Sequence, residues 1–270
     1  MIIDLSRHNG LIDPMKAALK GVTHAALRLT VGNYYVDPLF SENTSRLKSV
    51  GIKTTAYHVV TPEYSAQSQM DWFFKQLKVY LDWQPILDCE LDRGQKPLTI
   101  THVIRDCAIA MEGFITPIIY TRQTWWDRFV LPRSFWKDYR LHAARYSAAL
   151  SGPWSDGMTK FRDWDEWFLH QYSADGNGLG KEYGVESTSI DLNRVNPKFA
   201  HLLELPHTEP PDPTTRSMKV LVNGLNIRNE PRVDSRTDIG DLHMGAQVRV
   251  TEDLGEWVKV EGYVWKNSLG

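Results

Sequence analysis

The stretch Pro85-Ile-Leu-Asp-Cys-Glu-Leu-Asp92 decides how this chain is read. Residues 85–90 read as a short buried strand, apolar at its start and acidic at its end. Residues i and i+2 of a strand face the same side, so Asp88 and Glu90 point one way and Cys89 the other. Helical stripes flank the strand. Ala66, Met70, Phe73, Phe74, Leu77 and Leu81 make one face of a helix over 66–81, and Ile100, Val103, Ile104, Cys107, Ala108 and Met111 make another, closed by Gly113. A strand set between two helices marks a βα unit, and it puts the acid pair at the end of a parallel strand.

The alternation continues outward. Strands are expected over 2–5, 25–30, 53–60 and 117–121. Helices are expected over 14–20, with Asp13 as N-cap and Gly21 as stop, from Asp37-Pro38 to Gly51, and over 124–130. Beyond residue 140 the pattern changes: 140–146, 167–172 and 188–195 read as strands with no amphipathic helix between them. Five βα units followed by three strands predict an α/β fold, an irregular TIM-like (β/α)5β3 barrel, because eight strands suffice to close. A doubly wound sheet is the alternative, but no Gly-rich phosphate loop follows the first strand.

The segment His207-Thr-Glu-Pro-Pro-Asp-Pro-Thr-Thr-Arg216, preceded by Pro206, reads as a stiff linker. It divides the chain into a domain over 1–206, a linker over 207–217 and a small module over 218–270, each of suitable size. Short alternating strands with Gly-rich turns make the module a small all-β barrel.

The 270 residues carry a net charge of −2, which argues against nucleic acid or an anionic membrane as partner. No apolar run approaches membrane-spanning length. The two cysteines, Cys89 and Cys107, form no disulfide framework; both are expected as small buried hydrophobes in the helix–sheet layer. The nine histidines are scattered without metal-ligand spacing, so neither metal nor cofactor is expected. No Gly-x-Ser-x-Gly elbow is present, which weighs against an α/β-hydrolase esterase. Trp125-Trp126 and Trp164-Asp-Glu-Trp167 are aromatic concentrations that serve either the core or the flat faces of sugars.

In α/β barrels functional side chains gather at the C-terminal ends of strands. Reading those ends gives Asp4, Arg28, Tyr57-His58, Asp88 and Glu90, Tyr120, Gln171 and Asp191. Four carboxylates converging on one mouth are costly, since like charges at close range raise one another's pKa. Glycoside cleavage needs this inventory: one carboxylic acid to protonate the leaving oxygen and one carboxylate for the cationic transition state. Glu90 has the longer reach and is assigned as general acid, with Asp88 as the stabilising anion. His58 is balanced between a hydrogen-bonded core role and a role in the cleft.

Six motifs in order carry a resemblance: Asp4-Leu-Ser-Arg-His-Asn-Gly10, Tyr35-Val-Asp-Pro38, Gly51-Ile-Lys-Thr-Thr-Ala-Tyr-His58, Leu87-Asp-Cys-Glu90, Pro117-Ile-Ile-Tyr-Thr121 and Ile190-Asp-Leu-Asn193. Over residues 1–197 the chain resembles glycoside hydrolase family 25, the Chalaropsis-type lysozymes or N-acetylmuramidases. The resemblance implies cleavage of the β-1,4 bond from N-acetylmuramic acid to N-acetylglucosamine in bacterial peptidoglycan. It implies Glu90 at the acid position, Asp88 as its partner, Asp4 and Asp191 as outlying catalytic aspartates, and Tyr57 and Tyr120 against the sugar. It leaves open whether Asp88 orients the substrate's N-acetyl group, attacks carbon, or serves an inverting route. Val31 stands where many relatives carry an acid, and Arg28 where a Lys is common.

The module resembles a bacterial SH3 domain through Leu225-Asn-Ile-Arg228, Pro231, Gly245, Val248-Arg-Val250, Trp257-Val-Lys-Val260 and Gly262-Tyr-Val-Trp265. Such modules hold cell-wall peptides near a catalytic domain. A plain structural appendage is the alternative. The expected protein is a monomeric, endolysin-like lysozyme, held in the host cytoplasm until released to the wall, or secreted if a leader was removed. Two other readings are a non-catalytic wall-binding protein and a barrel glycosidase acting on chitin-like polymers.

Overall fold

The computed structural model describes residues 1–79, 81–146 and 161–203, together with the backbone of seven strands in the C-terminal part. The chain divides into two compact units, Met1–Ile109 with Ile115–Pro210, and Pro211–Gly270 with Ala110–Phe114.

In the first unit β1 (Ile2–Leu5), β2 (His24–Val31), β4 (Lys53–Val59), β5 (Ile86–Asp88), β6 (Ile118–Thr121), β7 (Arg140–Ala144), β8 (Leu169–Ser173) and β9 (Asp191–Val195) close into an eight-stranded barrel. The two-residue strand β3 (Tyr35–Val36) hangs on β2 as a hairpin outside the ring. Helices α1 (Pro14–Leu19), α2 (Phe40–Ser49), α3 (Ala66–Gln76), α4 (Pro97–Glu112) and α5 (Gln123–Phe129) follow the first five barrel strands. This is the expected count of five βα units and three further strands. One feature differs from a uniform parallel ring: β9 runs antiparallel to both β8 and β1, so the strand that closes the barrel enters from the opposite end.

Local chemistry explains most boundaries. Asp13 caps α1 by accepting from Met15 N and Lys16 N, Pro14 supplies the first turn, and Gly21 follows at φ 79°. The expected start of α2 at Asp37 is displaced to Phe40, because the Asp37 carboxylate is occupied: it takes the Arg28 guanidinium and the N–H groups of Arg7 and Leu39. The helix expected over 66–81 ends at Gln76. Leu77 and Leu81 are still buried, so the apolar period continued into non-helical chain that also feeds the core. In α4 Ile100, Ile104, Cys107, Ala108 and Met111 of the expected stripe are buried, and Val103 is half-buried.

The barrel interior is layered. Ile2, Ala26, Ile86, Ile118 and Leu169 form an apolar floor, closed by Trp83, Phe168 and Leu203. Burying such side chains stabilises by roughly 1.5–3 kcal/mol each, and polar groups can then be carried in the layer above. The aromatic pairs at 125–126 and 164–167 belong to the core: Trp126 packs on Trp136 and Trp164 with centroids 4.9 and 4.8 Å apart, and its indole N–H bonds Asp163 at 2.8 Å. None of these four tryptophans is offered to a sugar. Cys89 and Cys107 are free and buried.

The C-terminal part shows seven strands, all paired antiparallel where paired: Arg216–Lys219 with Gln247–Val250, and a five-stranded sheet of Leu225–Arg228, Asp238–Leu242, Glu252–Asp253, Trp257–Lys259 and Tyr263–Trp265. The expected linker lies outside the described residues except for Arg216–Ser217, as do Pro231, Gly245 and Gly262.

Candidate active site

The inward positions above the floor make a cavity of about 310 Å³ at one mouth of the barrel, lined by Asp4, Arg28, Tyr57, Asp88, Glu90, Tyr120, His142, Gln171 and Asp191 among others. All six residues singled out from sequence line it. His58 does not. It is fully buried on the outer face of β4, where Thr30 Oγ1 lies 2.7 Å from Nδ1 and Gln69 Oε1 lies 3.2 Å from Nε2. Burial there lowers its pKa to about 4, and it is a core histidine.

Two irregularities aim the side chains. Between Arg28 and Thr30 the β2–β4 register shifts, so Arg28 faces the cavity while Thr30 meets His58. A second shift between Gln171 and Ser173 lies in β8, where it pairs with β9. Bulges of this kind re-aim side chains beside functional sites.

Asp88 is the last residue of β5, and Glu90 lies just beyond it rather than inside the strand as expected. The extension is held in place: Cys89 N donates to Tyr120 O at 2.9 Å, and Thr121 Oγ1 donates to Cys89 O at 2.8 Å. Asp191 was read as a C-terminal strand end. It is the first residue of β9, and the reversed direction of that strand brings it to the mouth, directly opposite Asp4 in register.

The polar network is directional. Tyr120 and Tyr146 hydroxyls donate to Gln171 Oε1, and Gln171 Nε2 donates to Asp4 Oδ2 at 2.8 Å. Nε2 of His142 lies 2.7 Å from Asn193 Oδ1, and burial drives the His142 pKa down to about 3, so the imidazole is neutral and donates there. Arg28 is committed to Asp37 through Nε and Nη2, both at 2.9 Å. Two carboxylate oxygens, Asp4 Oδ1 and Asp88 Oδ1, are buried without a hydrogen-bond partner. Uncompensated buried acceptors are costly and mark a place made for something else.

All four carboxyl groups are pushed up. Burial is the first cause in each case. For Asp88 the charges of Glu90 and Asp4 add to it, and Arg28 opposes; for Glu90 the opposing charge is Arg122. Asp4 rises to about 7 against hydrogen bonds from Gln171 and Asn193, and Asp191 to about 8 with help from the Asp4 and Glu90 charges. Such a cluster retains protons near neutrality, which general acid chemistry requires. Among the described residues no group of three or more His, Cys, Asp or Glu is arranged to hold a metal ion.

His142, Asn193 and Tyr146 went unread as site residues. The period-2 alternation of β7 and β9 would have turned His142 and Asn193 inward, but nothing local distinguished them from packed polar residues. Exposed Tyr34 and Tyr64, with ring centroids 5.6 Å apart, lie on the loops after β2 and β4.

Comparison with known proteins accords with this geometry. The model of the family "Glycosyl hydrolases family 25" matches residues 3–181. Lysozyme M1 of Streptomyces globisporus is 26% identical over 216 residues, 75% of this chain and 70% of that protein. The crystal structure of the bacterial lysozyme from Streptomyces coelicolor superposes with a TM-score of 0.62 at 24% identity, covering 74% of this chain and 93% of the other. The CTP1L endolysin shares the fold with a TM-score of 0.58 at 21% identity, over 73% and 67% of the two chains. With two thirds of its length matched by one family model and its barrel shared with those enzymes, this chain belongs to glycosyl hydrolase family 25 and is a glycoside hydrolase.

Proposed function

We propose that the protein is a lysozyme that cleaves the β-1,4 bond from N-acetylmuramic acid to N-acetylglucosamine in bacterial peptidoglycan, with Glu90 as general acid and Asp88 as the carboxylate that orients and stabilises the reacting sugar. The observation that carries this reading is the Asp88–Glu90 pair at one end of β5, with Asp88 Oδ1 buried and unpartnered in the cavity.

Both carboxyl groups are pushed up by burial, Asp88 also by the Glu90 charge, and the pair holds one proton between them at neutral pH. Glu90 is the less buried member and stands nearer the mouth, so it meets the glycosidic oxygen. A sugar N-acetyl N–H donated to Asp88 Oδ1 would satisfy the orphan oxygen and hold Asp88 as the anion, leaving the proton on Glu90. Glu90 gives that proton to the leaving oxygen as the C–O bond breaks. The carbonyl oxygen of the acetamido group, which Asp88 orients through its N–H, closes on the anomeric carbon, and water then opens that ring with Glu90 accepting its proton. Asp191, raised to about 8, stays largely protonated at neutrality, and Asp4, raised to about 7, keeps its proton part of the time, so both spare the pair negative charge. Tyr57 and Tyr120 supply ring faces to the sugar.

In this proposal residues 1–206 catalyse, 207–217 link, and 218–270 form a bacterial SH3-like module that raises the local concentration of wall substrate. The likeness to an endolysin fold supports a phage setting, with the monomeric enzyme kept in the host cytoplasm until release. Product analysis tests the reading. Digestion of purified cell walls is expected to create muramic acid reducing ends; glucosamine-type ends would refute the bond assignment. Faster turnover of chitin oligomers would favour a chitin-like substrate, and walls bound but uncut would favour a lectin.

A further inference from the structure

The pairing of β5 with β6 matches Ile86 to Ile118, Leu87 to Ile119 and Asp88 to Tyr120. It does not stop there, since Cys89 N bonds Tyr120 O and Thr121 Oγ1 bonds Cys89 O. Carried on by the same register, residue 90 falls beside residue 122. In a parallel ladder matched residues stand about 5 Å apart and face the same way. Arg122 is thus the neighbour of Glu90, at the N-cap of α5, where its side chain makes no cap hydrogen bond.

Its surroundings make it unusual. Arg122 is exposed; its carbonyl accepts from Trp125 N and Trp126 N at the start of α5, and its side chain forms no ion pair or hydrogen bond with any described residue. The other arginines near the acids are committed, Arg28 to Asp37 at 2.9 Å and Arg93 to Glu63 at 3.6 Å. The groups that interact with Glu90 are Asp88 on its own segment, Asp191 on β9, Tyr120 on β6 and Tyr146 after β7; among the described residues Arg122 is the cation that acts on it. A neutral glycan needs no such charge. A glycan carrying carboxylates would be repelled by the negative charge that the acid cluster keeps at the mouth unless a cation received it.

We propose that Arg122 is a specificity residue that receives a carboxylate borne by the muramyl side of the glycan, one strand away from the proton donor. This deepens the proposed function and rests on peptidoglycan being the substrate. The carboxylate has two possible sources: the lactyl group of a muramic acid that carries no stem, or the free carboxyl groups of a stem peptide joined to that lactyl group through an amide. Lysine could supply the charge but not the paired donors of a guanidinium.

The test compares the parent with Arg122→Ala and Arg122→Lys on purified walls, on walls whose carboxyls have been amidated with carbodiimide, and on glycan stripped of stems by an amidase. On native walls kcat/KM is expected to fall about fivefold in Arg122→Ala and to recover in part in Arg122→Lys, the scale of a solvent-exposed ion pair. Amidation should bring the parent down toward Arg122→Ala while leaving that variant nearly unchanged. A penalty that grows on stripped glycan, where the amidase frees the lactyl carboxyl, assigns the lactyl carboxylate; one that disappears assigns the stem.

A second readout is the alkaline limb of the pH profile. Loss of the cation beside Glu90 moves the kcat/KM limb to higher pH, and the kcat limb less, because bound carboxylate already neutralises Arg122 in the complex. Equal activity of Arg122→Ala on native walls, or a penalty unaffected by amidation, overturns the proposal. Failure of the parent to cut walls at all would instead overturn the proposed function.

Discussion

Two buried polar clusters sit on opposite faces of the same strands and are built on opposite principles. Outside β4, His58, Thr30, Gln69 and Thr61 form a closed hub: Gln69 Oε1 takes His58, Thr61 N and Thr61 Oγ1, and its Nε2 gives to Thr61 O and Tyr64 O. Inside the barrel, Asp4, Asp88, Glu90 and Asp191 crowd together with two carboxylate oxygens unpartnered. The hub satisfies its polar groups and fixes the loop after β4. The acid cluster leaves its groups wanting, and the surrounding fold bears the cost. Buried polarity by itself therefore does not mark function here; carboxylate oxygens left unpartnered together in one cavity do.

The largest effect should come from the acid cluster. Glu90→Gln is expected to lower wall-lytic kcat about 10³-fold, which is about 4 kcal/mol of barrier, while its melting temperature stays equal to or above that of the parent. Full lysis by this variant, or a strongly lowered melting temperature, would erase the contrast between the clusters.

The next largest belongs to the hub. Gln69→Ala removes five hydrogen bonds and leaves buried partners exposed to no water, for a loss of about 3 kcal/mol in urea unfolding. Activity per folded molecule should change little.

A smaller effect separates the clusters by pH. Asp191 has its folded pKa raised from 3.8 to about 8, so its cost is absent below pH 4 and grows as pH rises toward 8. Asp191→Asn should therefore gain about 2 kcal/mol at pH 8, or about 5 °C in melting temperature, with the gap closing by pH 4. His58 runs the other way: with its pKa lowered from 6.5 to about 4, the stability it confers is present above pH 6.5 and lost as pH falls toward 4. That acid-side loss should persist unchanged in Asp191→Asn. A variant whose advantage is flat across pH would show that charge burial is not its source.

Much of this is legible in the sequence. Period and caps located the five βα units, and strand ends delivered all six site residues to one cavity. What escaped has physical reasons. The end of α3 was overread because Leu77 and Leu81 are buried outside a helix, so burial continued where the helix did not. His58 was undecidable because the bulge after Arg28, which pairs Thr30 with the imidazole, leaves no local trace in composition. The direction of β9 was invisible for a similar reason: alternation says which residues share a face and nothing about which way the strand runs. Arg122 gave no signal, since its meaning comes from a register established by two strands that are thirty residues apart in sequence.

The reversed strand β9 also sets a schedule. It joins β1 to β8, matching Ile2 with Asn193 and Asp4 with Asp191, so the first strand made meets its second neighbour only after almost the whole catalytic unit has been synthesised. Contacts of such separation are the slowest to form in a folding chain. Glu90 and Asp88 leave the ribosome early, but the ring around them stays open until residues 191–195 arrive. For an enzyme that attacks cell walls, ring closure by the last barrel strand keeps every unfinished chain without a completed mouth.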